Sequence, residues 1–284
     1  MKKVFRLSKL QKHLPKLLGK QLSVQYVFLR RLALKRAFRL FCSPKKGKLK
    51  QEQQPFLQTA DTKVLSIEGL DIHTYHWKGS GPTVALIHGW ESNSYRWRNL
   101  IEKLKNLDYN IVAFDAPAHG NSTGDVLHVP LYTKCLNKVM QQYNPSFLVG
   151  HSIGGMTSIF YQHLHNNPIV QKIVVLAPPS ELSSIMEQYK KALGLSKRFM
   201  SSLNERFLTN FGYTFKDFSM AQFSSTIKTS GMVIHDRFDA VVPFTEALQI
   251  SRKWKSCKLV STKHLGHSLH SPKVDDLILN FLTV

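Results

Sequence analysis

The feature that most constrains this chain is a regular alternation of short apolar runs and longer helical patterns, which begins at residue 61. Unbroken apolar runs of about five residues are typical of parallel strands that are buried on both faces. Parallel neighbours need crossover connections, which helices usually supply. The sequence therefore predicts an α/β fold in which a mostly parallel central sheet carries helices on both faces.

The individual elements follow from the same patterns. Two short alternating segments around a glycine, Lys63–Gly69 and Asp71–Trp77, predict a hairpin at the edge of the sheet. The predicted buried strands are Thr83–His88, Asn110–Asp115, Ser146–Gly150, Lys172–Ala177, Gly231–His235 and Lys258–Ser261. The predicted helices are Tyr95–Leu107, Leu131–Tyr143, Ile153–His165, Thr245–Trp254 and Val274–Phe281. Residues 179–229 show helical character without a strand pattern, and this predicts a helical cap insertion.

One motif carries chemistry. Residues 146–155 read SFLVGHSIGG, an apolar strand followed by Gly150-His151-Ser152-Ile153-Gly154 and then a helical pattern. This G-x-S-x-G sequence in a strand–turn–helix context predicts a nucleophile elbow, in which small residues on either side make room for a strained serine. A plain glycine turn between strand and helix is the alternative.

A serine hydroxyl needs a base and an acid to act as a nucleophile. Both follow in the chain, because Asp239 lies in a turn after the strand Gly231–His235, and His267 lies in a loop after the strand Lys258–Ser261. The carboxyl ends of parallel strands meet at one edge of a sheet. The order Ser152, Asp239, His267 thus predicts a catalytic triad at that edge.

Residues 61–284 resemble the α/β-hydrolase fold superfamily, specifically its single-domain serine hydrolases with a small helical cap. The resemblance rests on His88-Gly89-Trp90, on the stretch DAPAHGNS at 115–122, on the elbow and on the Asp239 and His267 loops. It implies Ser152 as nucleophile, His267 as general base and Asp239 as its orienting acid. It also implies an oxyanion hole made by the backbone N–H groups of Trp90 and Ile153, and no cofactor.

Other ionisable residues compete for these roles. Asp236 precedes Asp239 by three residues, but the family pattern places the acid four residues after His235, and this favours Asp239. His264 and His270 flank His267 at spacings of three, yet catalysis needs only one of them. We therefore predict no metal site.

The predicted function is hydrolysis of carboxylic esters through an acyl-Ser152 intermediate. Thioester hydrolysis, carbon–carbon bond hydrolysis and acyl transfer use the same triad and stay open, as does a catalytically silent module that is recruited to a membrane. The apolar residues of the cap indicate a small-molecule ester with a hydrophobic acyl chain, although they equally suit packing of the cap itself.

The charge distribution sets the first 50 residues apart. The chain carries a net charge of +21, and residues 1–50 hold 16 Lys or Arg and no Asp or Glu, so the remainder carries only +5. We divide the chain into a basic arm with its linker (1–50) and a hydrolase domain (61–284). This distribution places the excess charge outside the part that carries the chemistry, and we expect no specific nucleic acid partner.

The arm contains an amphipathic pattern over Tyr26–Phe41, with cations gathered on one side and apolar side chains on the other. Such a helix can bind an anionic membrane surface with its apolar face down. A helix packed on the body, an organelle transit peptide and non-specific nucleic acid binding are the alternatives. Three widely spaced cysteines favour a reducing compartment, so we expect a cytoplasmic protein that can lie at the inner face of a membrane.

Overall fold

The computed structural model describes residues 9–283, so the first eight residues of the predicted arm lie outside the described part. Eight strands lie within the described residues, and each overlaps a predicted strand. They are β1 (Asp61–Ile67), β2 (Leu70–Trp77), β3 (Thr83–Ile87), β4 (Asn110–Phe114), β5 (Phe147–His151), β6 (Lys172–Leu176), β7 (Ser230–Asp236) and β8 (Cys257–Thr262).

The strands form one sheet in the order β1-β2-β4-β3-β5-β6-β7-β8. The β1–β2 and β2–β4 pairs are antiparallel, whereas the remaining pairs are parallel. All five residues of β5 are buried, as expected for a central strand covered by helices on both faces. The predicted fold class, a mostly parallel sheet with an antiparallel hairpin at one edge, is confirmed.

The α-helices of the described residues are α1 (Lys9–Phe28), α2 (Arg30–Cys42), α3 (Gln54–Leu57), α4 (Arg98–Asn106), α5 (Val129–Tyr143), α6 (Ile153–His165), α7 (Leu182–Leu193), α8 (Lys197–Phe211), α9 (Met220–Ser224), α10 (Phe244–Lys253) and α11 (Pro272–Thr283). The helix predicted over Tyr26–Phe41 is instead split between α1 and α2, with Leu29 outside both. None of the helices described between residues 9 and 283 has the length and apolarity that crossing a bilayer requires.

The chain divides into two compact units. The larger unit comprises Ser43–Ser180 and Ser219–Val284 and contains the whole sheet. The smaller unit joins the residues up to Cys42 with Glu181–Phe218, so the arm helices and most of the predicted cap interval belong to one structural unit. Helix α9, which lies inside the predicted cap interval, belongs to the larger unit.

Within the smaller unit, the apolar face of α2 packs on α7 and α8. Ala33 and Ala37 are completely buried, and the hydroxyl of Tyr189 donates a hydrogen bond to the Ala37 carbonyl oxygen at 2.8 Å. The ring of Phe41 lies edge-on to Tyr189, with 5.2 Å between the centroids. This face is therefore occupied by the protein itself, so the predicted membrane contact through the apolar face of this helix is wrong for α2.

Helix α1 also packs on the insertion. Gly19 lies against the backbone of Leu193, where any side chain would collide with the Leu193 carbonyl group. The hydroxyl groups of Tyr26 and Ser202 are 2.7 Å apart, and the Tyr26 ring lies 4.8 Å from that of Phe199. Several apolar cap residues that could have contacted an acyl chain are therefore occupied by packing against α1 and α2.

Candidate active site

The site begins at the elbow between β5 and α6. Ser152 has φ 53° and ψ −120°, a backbone conformation that costs a non-glycine residue about 1–3 kcal/mol. A side chain on Gly150 would collide with the Gly154 carbonyl, and one on Gly154 would collide with the Ile87 carbonyl. The two glycines of the motif therefore let α6 approach the sheet closely enough to hold the serine in this turn.

Three side chains from three strand ends meet at the carboxyl edge of the sheet. The Oγ of Ser152 lies 3.1 Å from Nε2 of His267, and Nδ1 of the same imidazole lies 2.8 Å from Oδ2 of Asp239. A carboxylate can only accept, so Nδ1 carries the proton and Nε2 is left as an acceptor for the serine hydroxyl. The structure thus brings together Ser152, His267 and Asp239 in a continuous hydrogen-bonded chain.

The loop after β7 fixes the orientation of the acid. The side chain of Asp239 is fully buried, and its Oδ1 accepts hydrogen bonds from the backbone N–H groups of Val241 at 2.8 Å and Val242 at 3.0 Å. These bonds leave Oδ2 directed at His267. A carboxylate held in this way orients the imidazole and stabilises the positive charge that forms on it when it takes a proton.

Asp236, the competing acid, is placed elsewhere. Its Oδ2 accepts hydrogen bonds from the hydroxyl of Thr262 at 2.7 Å and from the N–H of Leu265 at 2.9 Å, while Oδ1 accepts from the N–H of Phe238. Burial raises the pKa of the carboxyl, but these bonds together outweigh it and the pKa is lowered. Asp236 therefore ties the loop after β7 to the loop after β8.

The two oxyanion-hole candidates lie at neighbouring strand ends. Trp90 follows β3, and Ile153 is the first residue of α6, where backbone N–H groups have no partner within the helix. Strands β3 and β5 pair in parallel, with Ile87 opposite Gly150. The loop that holds Trp90 is fixed at its next residue, because the Glu91 N–H donates to Nε2 of His119 at 3.0 Å.

Two histidines without a predicted role also contact the residues of the predicted triad. Nε2 of His151 lies 2.9 Å from the carbonyl oxygen of His267, so it must carry the donated proton. Nε2 of His235 lies 2.9 Å from the Val242 carbonyl and 3.4 Å from Oδ2 of Asp239. Burial is the main cause that lowers the pKa of both imidazoles and keeps them neutral.

The spare histidines of the last loop do not converge. The His264 ring stacks on Phe238 with 4.3 Å between centroids, whereas Arg96 and Arg98 add to the effect of burial and lower the pKa of His270 to about 4. Within residues 9–283, no group of three or more His, Cys, Asp or Glu side chains is arranged to hold a metal ion.

Comparison with known proteins identifies similar folds. Residues 82–212 match the sequence model of the alpha/beta hydrolase fold. A bromoperoxidase from Bacillus anthracis, 20% identical, superposes with a TM-score of 0.64 over 79% of this chain and 100% of its own. An esterase from Exiguobacterium antarcticum, 16% identical, gives a TM-score of 0.62 over 79% and 100%. These comparisons show that the chain has the alpha/beta hydrolase fold.

Sequence relatives of this chain include esterases and lipases. A pimeloyl-acyl-carrier protein methyl ester esterase from Vibrio vulnificus is 26% identical over 154 residues, which are 52% of this chain and 56% of the relative. A monoglyceride lipase from Rattus norvegicus is 32% identical over 108 residues, 34% of this chain and 36% of the relative. The chain thus spans about half the length, or less, of these relatives. Its homologues are esterases, lipases and other hydrolases.

Proposed function

We propose that this protein is a serine hydrolase that cleaves carboxylic esters through an acyl intermediate on Ser152. The observation that carries the proposal is the hydrogen-bonded chain from Ser152 Oγ through His267 to Asp239, with distances of 3.1 and 2.8 Å. The similarity to ester-cleaving relatives supports the same reaction class. Nothing in this chemistry calls for a cofactor.

The proposed reaction begins when His267 Nε2 removes the proton of Ser152 Oγ while the oxygen attacks the ester carbonyl carbon. Asp239 stabilises the resulting imidazolium through Nδ1. The negative charge on the former carbonyl oxygen is stabilised by the N–H groups of Trp90 and Ile153. The tetrahedral intermediate collapses, and the alcohol leaves with the proton from Nε2. Water then repeats the sequence on the acyl-enzyme and releases the carboxylic acid.

Thioester hydrolysis, carbon–carbon bond hydrolysis and acyl transfer to an acceptor other than water would use the same three groups. They differ in the leaving group or in the acceptor, which the triad does not select. A catalytically silent binding module is less consistent with the site, because such a protein needs neither a strained serine at residue 152 nor an acid held toward His267.

Labelling with a serine-directed fluorophosphonate probe tests the nucleophile. The full chain should be labelled, Ser152→Ala should not, and Ser256→Ala, which changes an exposed serine outside the site, should be labelled like the unchanged protein. Absence of labelling in the unchanged chain, or equal labelling of Ser152→Ala, would refute the proposal. Matched series of oxygen esters and thioesters of increasing acyl length would then separate the ester hydrolase from the thioesterase.

A further inference from the structure

The helix α1 exposes large apolar side chains on the side that faces away from the insertion. Val27 is 73% and Phe28 80% exposed, values far above those of Leu22 at 6% on the packed side. The large apolar residues exposed on α1, together with Leu29 directly after it, are here called the arm ridge. They are Leu14, Leu17, Val24, Val27, Phe28 and Leu29. An apolar surface of this kind on a chain with a complete core usually marks a binding surface.

Four of the ridge residues share one face of the helix. Leu14, Leu17, Val24 and Phe28 are separated by three, seven and four residues, so they share one face at 3.6 residues per turn. Gly19 and Tyr26 lie on the opposite face, where they contact Leu193 and Ser202. The fold therefore holds the ridge outward, because rotating the helix would break the contacts of its packed face.

Exposed cations border the ridge. Lys16 and Lys20 lie beside it on α1, and Arg31, Lys35 and Arg36 are exposed on α2. The sequence has no acidic residue before Glu52, so the helices that carry the ridge contribute positive charge alone. Side chains that combine apolar insertion with cations at the level of the headgroups suit the interface of an anionic bilayer.

We propose that the arm ridge is a docking surface for an anionic membrane, with its apolar side chains inserted at the headgroup boundary and the neighbouring cations on lipid phosphates. This surface differs from the apolar face of α2, which packs inside the protein. Nucleic acid would engage the cations but would leave the leucine, valine and phenylalanine side chains without a partner. A second copy would bring the same positive charges face to face.

Co-sedimentation of the full chain with vesicles tests the proposal. Vesicles of phosphatidylcholine mixed with phosphatidylglycerol should retain the protein, and those of phosphatidylcholine alone should retain far less. Replacing Val27 and Phe28 together by serine should weaken binding to the anionic vesicles by roughly tenfold or more, because two inserted side chains are lost. Lys16→Gln with Lys20→Gln should weaken binding and reduce its dependence on salt.

In the matched control, serine replaces Leu107 and Ile169, two apolar residues outside the arm that are 50% and 43% exposed. This variant should bind the vesicles like the unchanged chain. All variants alter exposed side chains, and their thermal unfolding should confirm that they are folded. Binding by the Val27 and Phe28 variant equal to that of the unchanged chain would overturn the proposal. So would RNA retention that depends on the cations in the absence of vesicle binding, or a dimer that these substitutions dissolve.

The docking surface does not depend on the proposed catalytic reaction. Ser152→Ala should bind anionic vesicles as the unchanged chain does, and the Val27 and Phe28 variant should keep its labelling by the fluorophosphonate probe in solution. Loss of vesicle binding and loss of probe labelling can therefore be told apart, so the docking proposal and the proposed reaction can fail separately.

Discussion

His151 donates a hydrogen bond from Nε2 to the backbone carbonyl oxygen of His267 across 2.9 Å. The residue before the proposed nucleophile Ser152 thus holds the backbone of His267, the proposed general base, and the two imidazole rings lie 5.0 Å apart at their centroids. The buried His151 is kept neutral by burial and by the nearby charge of Arg96, which lower its pKa. His151 is therefore a positioning residue for the triad.

We predict that His151→Phe lowers kcat by about 10- to 100-fold and leaves KM nearly unchanged, because the His267 loop loses its anchor. His151→Gln places an amide N–H near the position of Nε2 and should recover most of the rate. Steady-state kinetics on a soluble ester measures both. His165→Phe, at the exposed end of α6, is the control and should have little effect. Equal losses in the phenylalanine and glutamine variants would contradict a role for this hydrogen bond.

The two aspartates of the loop after β7 should separate activity from stability. Asp239→Asn presents an amide to Nδ1 of His267 and favours the wrong tautomer, so kcat should fall about 10³- to 10⁴-fold with little change in unfolding. Asp236→Asn weakens the bonds to Thr262 and Leu265 and should lower the free energy of unfolding by about 1–3 kcal/mol. Ester turnover and urea unfolding of both variants provide the test. The control is Asp276→Asn, which changes an exposed residue on α11. A greater loss of turnover in Asp236→Asn than in Asp239→Asn would make Asp236 the orienting acid instead.

Much of the sheet was predictable from the sequence because unbroken apolar runs have few other uses in a chain of this kind. The elbow was predictable because its two glycines, its serine and the strand-to-helix pattern around them lie within one short stretch of sequence, although Gly154 also makes room for the distant Ile87. The roles of His151 and His235 were not, since each depends on a backbone carbonyl that lies far away in the sequence. One signal was available: His88, His151 and His235 all lie at the carboxyl ends of buried parallel strands, at the edge where a site is expected.

The arm shows a different limit. Its periodicity predicted a helix with an apolar face, but a pattern does not identify the surface that covers that face. In the structure, Ala33 and Ala37 pack on the insertion, whereas Val27, an apolar residue of the same stretch Tyr26–Phe41, is exposed beyond the break at Leu29. The break separates residues that one continuous helix would have kept on one face.

The elbow should tolerate an added methyl group at one glycine and not at its neighbour. Gly154→Ala would place Cβ against the backbone carbonyl groups of Ile87 and His88, which cannot move without distorting β3. We expect a loss of several kcal/mol in the free energy of unfolding, or no folded protein. In Gly155→Ala the new methyl group meets the Gly150 carbonyl oxygen and the Cβ atoms of Val175 and Pro178, each at 3.3 Å, rather than backbone oxygens at 2.2 and 2.6 Å as in Gly154→Ala, so the cost should be smaller. Thermal unfolding of the pair is the measurement, and equal effects would contradict this account of the motif.

Acid should destabilise the fold through its buried histidines. Burial is the main cause that lowers the pKa of His88, His119, His151 and His235, none of which is more than 5% exposed. In the unfolded chain these groups titrate near pH 6.5, so below that value the unfolded state binds protons that the native state does not. Above about pH 6.5 these imidazoles are neutral in both states, so they do not make the free energy of unfolding depend on pH. Stability should therefore fall as the pH drops below about 6.5, by up to about 1.4 kcal/mol per pH unit for each such group, until the pH reaches that group's lowered pKa.

His128 offers the sharpest single-site test of this prediction. Burial lowers its pKa to about 4, and its Nδ1 accepts the hydrogen bond from the N–H of Leu131 that caps α5. His128→Asn keeps a capping acceptor but removes the titration. Urea unfolding between pH 7.5 and 4.5 should show little difference between variant and unchanged protein above about pH 6.5, the ordinary histidine pKa. Below that pH the slope should be smaller by up to about 1.4 kcal/mol per pH unit in the variant. The decline that His128 causes runs from about pH 6.5 to about pH 4 and then levels off. An unchanged slope in His128→Asn would mean that this imidazole takes up its proton in the folded protein as readily as in the unfolded chain.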